Sequence, residues 1–132
     1  MTLSDLNLHL DMVTQLNDAR DRLQSMTSFL QAQNLDGMPR GSGERRKVER
    51  LAVLIDQQKQ EVERMDKMVK RSEPAIREYI ETIEDNRTSQ IFSLHFLCGF
   101  SWPEVAEVIG GRNTAEAVKS VCYRYLRVDG WV

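Results

Sequence analysis

Apolar residues open the chain at Leu3, Leu6, Leu10 and Val13, alternating by three and four, then recur at Leu16, Leu23 and Leu30, seven apart in a shifted register. Both intervals keep one face of a helix apolar, so the spacing predicts a helix from residue 3 to about 33. The stretch Asn34-Leu35-Asp36-Gly37-Met38-Pro39-Arg40-Gly41-Ser42-Gly43 breaks it: three glycines, a proline and an Asp-Gly pair predict a loop over 34–43. A second helix is predicted over 44–71, with Val48, Leu51, Ile55, Val62, Met65 and Val69 in a narrow stripe. Gln58 takes the one polar position of that stripe, where a polar group commonly fixes register or partner number. Met65 and Met68 read as filler of the same seam. One helix does not bury such a stripe alone. Its cover is either the first helix folded back or another copy of the chain, and the pattern allows both.

Ser72-Glu73-Pro74 predicts a fresh helix start, because Ser caps and proline fits a first turn. Ile76, Tyr79, Ile80 and Ile83 follow at helical spacing. From there the elements shorten, with helices predicted over 75–85, 88–98, 102–109 and 114–127. There is neither an alternating strand pattern nor an internal repeat. The fold class is therefore all-α. Residues 1–72, with their loop at 34–43, form a long N-terminal coiled coil or helical hairpin. Residues 73–132 form a small helix-turn-helix bundle.

The densest local signals lie between Ile91 and Leu126. Gly99 suits the left-handed position after a helix. Ser101-Trp102-Pro103-Glu104 is a capping box, and the short helix after it places Trp102, Val105, Ala106 and Ile109 on one face. Gly110-Gly111 ends that helix. Asn113 and Thr114 both suit a cap for the next one, whose inward face is Val118, Cys122, Tyr125 and Leu126. Two short helices about a glycine turn are the layout of a helix-turn-helix, whose second helix enters the DNA major groove.

The run Leu94-His95-Phe96-Leu97-Cys98-Gly99-Phe100-Ser101-Trp102-Pro103-Glu104-Val105-Ala106-Glu107-Val108-Ile109-Gly110 resembles the signature of sigma-factor region-four domains. Val118-Lys119-Ser120 resembles the start of their recognition helix. The whole chain resembles phage late transcriptional regulators of the ArpU and RinA type, which join such a domain to an N-terminal helical part. A turn like Met38 to Gly43 belongs to that group as well. The resemblance covers nearly the full length and is more specific in the C-terminal half. It implies a DNA-binding regulator, an activator of phage late genes, acting on double-stranded DNA near host RNA polymerase in the bacterial cytoplasm. The turn Gly110-Gly111-Arg112-Asn113 is longer than is typical of sigma domains, which alters the angle expected of the recognition helix. The DNA-facing set is then Thr114, Glu116, Ala117, Lys119, Ser120, Tyr123 and Arg124, with Arg112 and Arg127 near phosphate and Asn113 counted among the DNA-binding residues. Glu116 matches a base-facing sigma position, and a carboxylate accepts from cytosine N4. Asn113 to Glu116 also has capping-box spacing, so two roles for Glu116 stand open.

Composition changes this picture little. The net charge of −2 hides a gradient: nine basic and six acidic residues over 44–72, six and nine over 73–132. A local basic face binds phosphate on a nearly neutral protein, because charges beyond about 10 Å are screened. Arg45, Arg46 and Lys47, with Arg40 and Arg50, are a second candidate for phosphate contact, weighed against a solvated face. Cys98 and Cys122 read as buried small hydrophobes of a reducing compartment, and His95 as a surface residue. No metal-ligand spacing, cofactor motif or catalytic constellation occurs, so neither an enzyme nor a cofactor is expected. The N-terminus lacks a signal sequence and no apolar run reaches the ~18 residues of a membrane span, so a cytoplasmic protein is expected. The long helices suggest a homo-oligomer. The competing class is a phage DNA-packaging protein like a small terminase subunit, which also couples a helix-turn-helix to assembly helices.

Overall fold

The computed structural model describes residues 1–35 and 42–129, and every regular element among them is helical. These are α1 (Leu3–Leu35), α2 (Ser42–Glu81), α3 (Asn86–Phe92) continued by a π turn (Ser93–Leu97), α4 (Trp102–Ile109) and α5 (Ala115–Val128). The fold is all-α, with long helices followed by a small bundle. Of the expected loop, residues 36–41 lie outside the described residues, and 34–35 and 42–43 belong to the flanking helices.

The chain divides into two compact units: Met1–Thr14 together with Met68–Val132, and Gln15–Lys67. In the second unit, α1 and α2 lie against each other. Leu16, Ala19 and Ile55 are buried, and Val62 and Met65 are half-buried. The Gln58 amide donates to the Ala19 carbonyl at 3.0 Å, so the polar seam position ties the two helices of one chain together. Arg20 pairs with Asp66 at 2.9 Å on the surface, a contact contributing about 0–1 kcal/mol. The stripe thus faces α1 of the same chain, with Ile55 buried and Val48, Leu51, Val62 and Met65 half-buried. Met68 stands 40% exposed and is not seam filler.

The first unit holds the main core. Leu6 from α1 joins Ile76, Tyr79, Ile80 and Ile83, then Ile91, Phe92 and Phe96, Val105 and Ala106 from α4, and Val118, Cys122 and Leu126 from α5. Phe92 sits at its centre, 5.6 Å from Phe96 and 5.6 Å edge-on from Tyr125 by ring centroids. The boundary expected between 72 and 73 therefore gives way: the first turns of α1 pack with the C-terminal bundle. The expected break at Pro74 is also absent, since α2 runs through it. Val69, Ile76, Ile80 and Ile83 continue the buried stripe on both sides of the proline. Each such side chain contributes about 1.5–3 kcal/mol on burial, enough to offset the ~3 kcal/mol of an interior proline.

Two details of α1 differ from the pattern. Leu3 and Leu10 are only half-buried against the core, whereas His9 is 1% exposed and takes the inward position. A polar residue sits where the leucine spacing called for an apolar one.

Candidate nucleic-acid interface

The site is built from the support segment upward. Asp85 caps α3, accepting from the Thr88 amide at 3.0 Å and the Thr88 hydroxyl at 2.7 Å; the hydroxyl bond first, then the amide bond, holds its carboxyl below the usual carboxylate range. The helix widens into the π turn, where the Cys98 amide reaches back to Ser93 O at 3.1 Å. Gly99 follows at φ 78°. This turn packs His95 against the start of α4. Its Nδ1 bonds to the Phe100 carbonyl at 2.7 Å, and its ring stacks on Trp102 with centroids 3.6 Å apart. His95 is therefore a buried clasp, not the surface residue expected, and burial holds its imidazole below the usual histidine value, the Phe100 bond partly opposing.

The capping box forms as read: the Glu104 amide donates to Ser101 Oγ at 3.4 Å and the Ser101 amide to Glu104 Oε1 at 3.0 Å. Helix α4 ends at Gly110, whose φ 76° and ψ −163° fall in a region essentially reserved for glycine. A Cβ there would meet nothing within 4 Å, so backbone conformation rather than space demands the glycine. Asn113 stitches the turn: its amide donates to Gly110 O at 2.8 Å, while its Oδ1 accepts from the Arg87 guanidinium. Thr114 is the N-cap of α5, its hydroxyl accepting from the Ala117 amide at 3.1 Å.

This settles the geometry of Glu116. With Thr114 as N-cap, the box position is Ala117, so Glu116 takes no part in a capping box. It is exposed and lines a shallow groove with Lys119, Ser120, Tyr123, Arg124 and Arg127. The inward face of α5 is as read, with Val118, Cys122 and Leu126 fully buried and Tyr125 half-buried. Burial pushes the Cys122 thiol up to about 12. At the far end the Tyr79 hydroxyl donates to Asp129 at 2.9 Å; burial first, then this bond, raises the phenol.

The structure thus brings six of the ten expected site residues into one groove on α5. Lys119 holds its ammonium 6.0 Å from the Tyr123 ring centroid, and Tyr123 is half-buried, tilted 6.4 Å from Trp102, rather than fully exposed. Arg112 is exposed in the turn and Ala117 is half-buried. Asn113 and Thr114 have their side chains engaged within the protein. Arg45, Arg46, Lys47 and Arg50 are exposed on α2 in the other unit, Lys47 lying 3.8 Å from Glu44. Arg40 lies outside the described residues. Cys98 is exposed, contrary to its apolar neighbourhood. Sequence reasoning missed Arg87, since a residue twenty-six positions away gave no local hint that it meets Asn113.

The groove presents three cations, one carboxylate, a hydroxyl and an aromatic edge on one rigid helix. That combination suits a polyanion with hydrogen-bonding edges. Among the described residues no group of side chains fits a metal ion, and no helix is long and apolar enough to cross a membrane. No family model, curated protein or solved structure matches the chain.

Proposed function

We propose that the protein is a sequence-specific, double-stranded DNA-binding transcription regulator that reads the major groove with α5. The observation that carries this is the outer face of α5, where Glu116, Lys119, Ser120, Tyr123, Arg124 and Arg127 share one groove while the opposite face is locked into the core. An α-helix fits the major groove, and Lys and Arg neutralise phosphates beside it. Glu116, outside any capping box, is left as an acceptor for a base edge. Arg112, at the turn, supplies a further cation toward the backbone. The resemblance to phage late regulators gives the biological reading: control of late genes beside host RNA polymerase, in the bacterial cytoplasm.

The test is selection of bound fragments from a random duplex pool with the full chain. A regulator enriches one sequence and binds it as a defined small species. Enrichment without sequence preference, on rings of many copies, favours DNA packaging instead.

A further inference from the structure

His9 is the most deeply buried ionisable side chain of α1, with 1% of its surface exposed. It sits between Leu6 and Val13 on the inward face, opposite the part of α2 that carries Val69, Ser72 and Ile76, all within one compact unit. Its Nδ1 lies 2.5 Å from Ser72 Oγ, and Ser72 Oγ lies 3.2 Å from the Val69 carbonyl. A hydroxyl has one proton. With that proton on the Val69 carbonyl, the imidazole must donate Nδ1–H to Ser72 Oγ, which leaves Nε2 as a bare lone pair. Nε2 is buried and has no hydrogen-bond partner.

A neutral ring tolerates this arrangement. A protonated ring does not, because it adds an Nε2–H with no acceptor and a full charge in an apolar setting. The charge that registers at His9 is Glu73 on α2, which favours the cation, but Glu73 already receives Arg77 at 3.2 Å. On α1 itself Asp5 is held by the Thr2 amide at 3.0 Å and hydroxyl at 2.9 Å. Burial outweighs Glu73 and sets the imidazole below the usual histidine value.

We propose that the His9–Ser72 contact is an acid-labile latch, which holds the first turns of α1 on the C-terminal bundle while His9 is neutral and releases them when it is protonated. A histidine with a lowered folded value contributes its full stability above the unfolded value of 6.5 and loses it as pH falls below that value. The latch is closed at neutral pH and weakens on mild acidification.

Hydrogen exchange on the full chain tests this, comparing wild type, His9→Leu and His95→Gln at pH 7.5 and 5.5. After correction for intrinsic rates, protection of residues 3–14 in the wild type should fall at the lower pH, by at most about tenfold for one histidine. His9→Leu should lose clearly less of that protection on acidification than wild type, the remainder belonging to buried His95 in the same unit, and His95→Gln should keep the part that depends on His9. An acid response of wild-type size in His9→Leu, or none in the wild type, overturns the proposal. Should His9→Leu fail to fold, the NMR titration of His9 in the wild type decides. A midpoint below 6.5 supports the latch, and one at or above it overturns the idea.

Discussion

The imidazole of His95 lies flat on the indole of Trp102, with ring planes 18° from parallel. His95 also holds the Phe100 carbonyl, so one side chain joins the π turn, the glycine corner and the first residue of α4. Trp102 is half-buried and closes this corner rather than filling the centre of the core. Trp102→Ala should cost about 2–4 kcal/mol in urea unfolding, toward the lower part of the range for large aromatic truncations. It should also abolish DNA binding, because α4 positions α5. A cost under about 1 kcal/mol would show that the stack supports nothing.

Gly110 is required by its backbone. Gly110→Ala should destabilise the C-terminal unit by about 1–3 kcal/mol although the new methyl meets nothing. Thermal unfolding checks this, and an unchanged Tm would mean the turn adopts another conformation.

The seam of α2 faces α1 of the same chain, with Ile55 buried there and Val62 and Met65 half-buried. Ile55→Ala should cost about 2–4 kcal/mol. Light scattering should give the same mass as wild type, since Ile55 is already buried within its own chain. A drop in mass on this substitution would show that chains pair through the seam.

The two cysteines should react at very different rates. Cys98 is exposed, whereas burial holds the Cys122 thiol up to about 12. A thiol reagent at pH 8 should modify one cysteine in the native protein and the second only in denaturant. Equal rates would contradict the packing of α5.

Much of this was legible in the residue pattern. The three-four stripes gave both long helices, and the Ser101–Glu104 box and the glycine pair gave the edges of α4. What escaped has a common cause, namely side chains whose partners are distant in sequence. Pro74 signals a break locally, but the apolar stripe on either side of it carries α2 through. His95 reads as polar and exposed until the π turn folds it over Trp102, and His9 interrupts a leucine spacing that predicted Leu10 in its place. For the site, helical spacing on α5 alone aligns Glu116, Lys119, Ser120, Tyr123, Arg124 and Arg127. The engagement of Asn113 by Arg87 depends on tertiary contact, and no periodicity encodes it.

The central claim, that α5 reads duplex DNA, is tested most directly by anisotropy titration of a selected site and its single-base variants at two salt concentrations. Wild type should bind tightly, with affinity falling steeply as salt rises. Lys119→Ala should weaken every sequence about equally and lower the salt slope by about one ion. Glu116→Gln should instead relax preference at one base pair, worth about 1–3 kcal/mol, with melting lowered only slightly by loss of a first-turn charge. Absence of binding by the wild-type chain at low salt would contradict the account.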